Sequence, residues 1–90
     1  MKRYTAKNQD GTVLVAAADM HDALCRLAAF EDAFEALIAS QAAIPAELEL
    51  LKAAGKEKTV RYRELFGQKL LNKQIMMFFE KYGISVEYKH

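Results

Sequence analysis

The stretch VRYRELFGQKLLNKQIMMFFEKY, residues 60 to 82, constrains the fold most, because it reads as helix yet is apolar on most of its sides. At about 100° per residue, Leu71, Ile75, Phe78, Phe79 and Tyr82 share one face. Tyr62, Leu65, Phe66, Leu70, Met76 and Met77 spread over much of the opposite side. The clearly polar strip is narrow and holds Arg63, Gln74 and Lys81, with Gly67 beside it. A helix apolar nearly all round is normally buried nearly all round. Each large side chain left in water forgoes about 1.5–3 kcal/mol of burial, a serious loss for a small domain. The helix is therefore expected to be the central element and also to meet a second copy of the chain. Leu71, Ile75, Met76, Met77, Phe78, Phe79 and Tyr82 are the candidate self-association residues. The adjacent methionines suit an adaptable contact as well as an adaptable core.

The remaining elements follow from local signals. Residues 2–17 read as a β-hairpin: KRYTAK and the β-branched TVLV flank Asn8-Gln9-Asp10-Gly11, where Asp-Gly favours the positive φ angles of tight turns. Asp19 is placed to cap a first helix over 19–40, in which Met20, Ala23, Leu24, Leu27, Phe30, Phe34, Leu37, Ile38 and Gln41 share one broad arc. Pro45 fits the first turn of a helix and biases Ile44 away from helical angles, so a second helix is expected over 45–54 with Gly55 as its C-cap. Thr59 can cap the third helix, over 60–82. Gly83 ends it, with Ile84 folding back on Phe79. ISVEYK alternates apolar and polar residues and predicts a strand over 84–89, joining the edge of the hairpin.

At 90 residues, 52% of them hydrophobic and 28% charged, the chain has the size and composition of one globular domain. Charge is unevenly spread. Residues 1–55 carry five basic and eight acidic side chains, a net of −3, whereas residues 56–90 carry eight and four, a net of +4. The simplest meaning is attraction between the halves within the fold or across a self-association contact. A basic surface for nucleic acid is the sharper meaning, but the overall charge of +1 lacks the strong excess of dedicated binders. Cys25 is the only cysteine, which rules out an intrachain disulfide. No apolar run after Lys2 and Arg3 resembles a signal peptide, and no stretch approaches the ~20 apolar residues of a membrane span. A cytoplasmic location is expected by default.

Candidate chemistry is sparse. His21 and Cys25 lie four residues apart on the first helix, with Asp32 near the same azimuth two turns on. Such a trio can bind a metal or activate a thiolate. A surface histidine beside a small residue is the better reading, since a structural zinc site needs four ligands and the other histidine is His90. Glu31, Asp32 and Glu35 form an acidic patch that an exposed helix face explains without acid–base catalysis. Neither a P-loop, a dinucleotide fingerprint nor a nucleophile elbow is present. Lys56, Lys58, Arg61 and Arg63 surround the start of the third helix, where free backbone amides also favour anions. With Lys69 and Lys73 they are the candidate anion or nucleic-acid contacts. A recognition helix needs a polar face for the groove, and this helix is nearly all apolar.

RLAAFED (residues 26–32), IPAELELLK (44–52) and VRYRELFGQKLLNKQIMMFFEKYGI (60–84) resemble a group of small phage and prophage proteins of Gram-positive bacteria, often Firmicutes. The group shares an RLAAYED-like segment, a proline-initiated helix and a C-terminal FE-x-YG ending. The likeness covers most of the chain, with two departures. AFEALIASQAA follows the ED where a short TGL-type turn is usual, and Ile44 precedes the proline where threonine or glutamate is usual. The resemblance implies a mobile-element origin and brings no catalytic residues with it.

The expected protein is an α+β domain with an N-terminal hairpin, three helices and a C-terminal strand joining the hairpin. Its expected core is Leu14, Leu24, Leu27, Phe30, Phe34, Leu48, Leu51, Leu65, Phe66, Leu70, Ile75, Phe78, Phe79 and Ile84. The expected function is non-enzymatic: a homodimer with no cofactor or metal that binds a host or phage protein. A nucleic-acid-binding accessory factor using residues 56–63 is the alternative.

Overall fold

The computed structural model describes residues 1–86. Strand β1 (Thr5–Lys7) pairs antiparallel with β2 (Val13–Val15), a 3₁₀ turn covers Ala17–Asp19, and two helices follow, α1 (Met20–Ala53) and α2 (Val60–Glu80). The chain forms two compact units, residues 1–34 and 35–90, whose boundary falls inside α1.

In the first unit the hairpin has the register Thr5 to Val15, Ala6 to Leu14 and Lys7 to Val13. Five residues connect the strands, a longer loop than the tight Asp-Gly turn expected, and of its residues only Gly11 takes a positive φ, 87°. The loop is held by the Asn8 amide donating to the Thr12 carbonyl (2.9 Å) and by the Asp10 carboxylate. That carboxylate accepts from the Thr12 amide at 3.0 Å and hydroxyl at 2.5 Å. These two bonds hold the Asp10 carboxyl below its ordinary pKa, the hydroxyl contributing more. Asp19 is the last residue of the 3₁₀ turn, immediately before α1, and its carboxylate accepts from Lys2 Nζ at 2.9 Å. The hydrogen bond, and then the charge, of Asp19 raise the Lys2 pKa. Arg26 on α1 stacks 4.2 Å from the Tyr4 ring centroid and donates to the Lys2 carbonyl. Polar and cation–π contacts thus tie the N-terminal arm to the helix. Leu14, Leu24 and Leu27, expected in the core, remain exposed, and Phe30 and Phe34 are half-buried as a stacked pair with centroids 5.8 Å apart.

The second unit is built on a pair of helices, and here the expected three-helix fold is corrected. The helices expected over 19–40 and 45–54 are one continuous α1 of 34 residues with Pro45 inside it. Proline fixes φ near the helical value, so its cost is the lost amide and the crowded carbonyl of Gln41. That cost is about 3 kcal/mol, whereas ending one helix and nucleating another costs about 4 kcal/mol at a nucleation constant near 10⁻³. Alanine-rich sequence on both sides of Pro45 favours propagation further. Ile44 and Leu48, on either side of Pro45, bury against Leu65 of α2, with Leu51 and Tyr62 packed around them. The expected C-terminal strand is also corrected. Residues 84–86 form no strand, and positions 87–89 lie outside the described residues.

Both helices end in glycine caps of the Schellman type. At the end of α1, Gly55 (φ 71°) donates to the Lys52 carbonyl at 3.0 Å and Lys56 to Leu51 at 2.8 Å. At the end of α2, Gly83 (φ 82°) donates to Glu80 and Ile84 to Phe79, both at 3.0 Å. Thr59 caps the start of α2, its hydroxyl accepting from the Tyr62 amide at 3.2 Å.

The core of this unit is thin. Ile44, Leu48, Leu65 and Met76 are buried, and Asn72 is the most enclosed polar residue, at 2% exposure. Asn72 donates to Ser40 Oγ of α1 at 2.9 Å and accepts from Gln68 Nε2 at 2.7 Å. Of the other expected core residues Leu51, Ile75, Phe79 and Ile84 are half-buried, while Phe66, Leu70 and Phe78 are exposed. The reason is geometric. One neighbouring helix covers only one stripe of α2, and the sequence supplies apolar residues for more than one.

Candidate functional site

Three stripes run along α2. The seam with α1 takes Leu65, Asn72 and Met76, with Tyr62 and Phe79 half-buried beside them. On one flank Leu71, Phe78 and Tyr82 stay open, at 48%, 55% and 72% exposure. The Phe78 ring lies 5.4 Å from Tyr82 and 6.0 Å from Phe79, so this aromatic surface joins the seam through Phe79. On the other flank are Phe66, Leu70 and Met77, also exposed. The self-association set is therefore divided. Met76 is buried inside the unit, Ile75 and Phe79 are half-buried, Met77 lies on the opposite flank, and Leu71, Phe78 and Tyr82 remain together.

Between α1 and α2 a cleft of about 350 Å³ opens on the Leu70 flank. Ile44, Pro45 and Leu70 give it an apolar wall, and Gln41, Lys69, Lys73 and the enclosed Asn72 complete its lining. The Lys69 ammonium sits 5.9 Å from the Phe66 ring centroid. The sequence marks Lys69 and Lys73 as anion contacts but not the cleft they line, because Pro45 reads as a helix start rather than as part of a helix wall. A proline flanked by alanine-rich helix-forming sequence was the available signal.

The basic residues do not gather on one surface. Lys56 and Lys58 lie in the turn before α2. Arg61 donates through Nη2 to Glu47 of α1 at 2.9 Å, an exposed pair that holds it against the neighbouring helix. Arg61 and Arg63 point about 160° apart around α2, whereas Lys69 and Lys73 are about 40° apart and share the cleft.

His21 Nε2 and Cys25 Sγ are 3.6 Å apart on the exposed surface of α1. Among the described residues no group of three or more His, Cys, Asp or Glu side chains could hold a metal ion. Glu31, Asp32 and Glu35 are all exposed. No described helix is long and apolar enough to cross a membrane. Comparison with protein-family models, curated proteins and solved structures finds no match to this chain.

Proposed function

We propose that this chain is a non-catalytic protein–protein interaction module that self-associates, two copies joining their helix pairs through the Leu71–Phe78–Tyr82 stripe. The observation that carries this reading is that stripe together with Gly67. Leu71, Phe78 and Tyr82 are exposed, and Gly67 lies beside them on α2 at nearly the same azimuth. A glycine inside a helix costs about 1 kcal/mol relative to alanine. Nothing among the described residues requires it, since a methyl group at Gly67 would meet none of their atoms beyond its own helical turn within 4 Å. A surface that is apolar and also keeps a bare backbone position suits the close approach of another helix.

A second copy is the occupant because a pair of helices is half of a stable architecture. Helices bury their apolar stripes in at least two packed layers, and two such pairs make a four-helix bundle. Burying the open halves of three large side chains on each of two copies yields about 4.5–9 kcal/mol, comparable with the lower range of the cost of association. The dimer is therefore concentration-dependent.

Within this reading the module works in the cytoplasm, and the resemblance of its RLAAFED and FEKYG segments to small prophage proteins suits an accessory protein that acts by contact. The nucleic-acid reading has less support, since Arg61 is engaged by Glu47 and the remaining basic side chains are dispersed. Light scattering on a sizing column is the test. A mass rising with concentration toward twice the 10.2 kDa of one chain supports the reading, and a constant single-chain mass rejects it.

A further inference from the structure

We propose that the cleft between α1 and α2 binds an apolar carboxylate that also carries an amide N–H, the chemistry of an N-acylated leucine-like amino acid or of a peptide's last residue. Three features of the cleft define this ligand. Its volume of about 350 Å³ lies at the lower end of small-molecule pockets, and Ile44, Pro45 and Leu70 make its wall apolar. Lys69 and Lys73, one turn apart on α2, line the same cleft and supply two cations for one anionic group.

The third feature comes from Pro45. Lying inside α1, it has no amide to donate to the Gln41 carbonyl, so that carbonyl loses its intrahelical donor. Gln41 and Pro45 both line the cleft. The site thus offers an acceptor beside two cations. A bare anion satisfies the lysines and leaves the carbonyl, while an alcohol or amine does the reverse. A carboxylate with a neighbouring N–H and a branched apolar side chain satisfies all three. Leu70 and Leu71 are about 100° apart on α2, so the cleft opens away from the Leu71–Phe78–Tyr82 stripe and its occupancy is separable from self-association.

The test is a titration of the full chain, labelled with ¹⁵N, with N-acetyl-leucine, followed by amide chemical shifts. Saturable shifts at Lys69, Leu70, Lys73 and Gln41 are expected. N-acetyl-leucinamide, which lacks the charge, is expected to bind about tenfold more weakly, and so is 4-methylpentanoate, which lacks the N–H. The exposed pair Lys69→Met and Lys73→Met should abolish the preference for acid over amide. Pro45→Ala returns the helical amide to Gln41 and should abolish the preference for N-acetyl-leucine over 4-methylpentanoate, leaving the charge preference in place. Tighter binding of acetyl-Ala-Ala-Leu assigns the site to a chain terminus, and equal binding assigns it to a small acid. Equal affinity for the acid and its amide overturns the proposal. Shifts confined to Leu71, Phe78 and Tyr82, or shifts that never saturate, overturn it as well.

Discussion

Replacing Gly67 with alanine separates the two roles assigned to α2, because the same methyl group acts on them with opposite sign. Among the described residues of one chain the methyl meets nothing within 4 Å, so its effect is the gain in helix propensity, about 1 kcal/mol of added stability. For a chain of this size that raises Tm by about 4–8 °C. Across a close α2–α2 contact the methyl intrudes into packed space, at a cost of about 1–3 kcal/mol. The dimer dissociation constant then rises about fivefold or more. Gly67→Leu extends the series: leucine keeps most of the helix propensity and worsens the intrusion. The assay is urea unfolding at two protein concentrations, with sedimentation equilibrium on the same variants. Dilute protein should be stabilised by both substitutions, and association should weaken in the order Gly, Ala, Leu. If all three variants associate equally, Gly67 has no part in a helix contact and the reasoning fails.

Asn72→Ala removes two hydrogen bonds and leaves a void in the seam, so it should destabilise the helix pair by about 2–3 kcal/mol in chemical unfolding. Asn72→Leu should recover only part of that loss, because it refills the volume but leaves Ser40 and Gln68 without their partner. Equal losses for the two would mean that the bonds to Ser40 and Gln68, not the side chain's volume, are what matter. Pro45→Ala should raise Tm, since it restores an amide to the Gln41 carbonyl and removes a penalty of up to about 3 kcal/mol; a lower Tm would show that the proline ring is required in the seam. In the loop, Asp10 has its folded pKa lowered by Thr12, so its contribution is present above the ordinary carboxylate range and is lost as pH falls through the lowered value. The Thr12 amide resonance should titrate with it in acid, and Asp10→Ala should abolish that transition. Lys2 is the opposite case. Asp19 raises its pKa, so that contact is complete below the ordinary lysine value and is lost as pH rises through the raised one.

Signals that act over a few residues were legible in the sequence. Thr59, Gly55 and Gly83 announce their caps because each meets a local requirement, a free amide or a positive φ, that few other residues meet so well. Pro45 misled because its local preference competes with the cooperativity of the helix around it, which no single residue displays. Asp19 carries an N-cap residue type, but its carboxylate is held by Lys2, seventeen positions away. The apolar excess of α2 was visible, yet its division into seam and open stripe depends on where α1 lies. Ile75 and Phe78 look equivalent in the sequence, and only the path of the neighbouring helix half-buries the first and exposes the second. The cleft depends on that pairing too, since Pro45 and Lys73 meet only when α2 folds back along α1.

A second copy that covers the open stripe of α2 brings protons of two chains together there. Isotope-filtered nuclear Overhauser spectra on an equal mixture of labelled and unlabelled chains address this pairing most directly, because only contacts between copies survive the filter. Cross-peaks are expected from the Leu71 methyls and the Phe78 and Tyr82 rings to the partner, lost in the Phe78→Glu variant. Filtered spectra without those cross-peaks, at concentrations where sedimentation shows a dimer, would place the contact elsewhere and contradict this pairing.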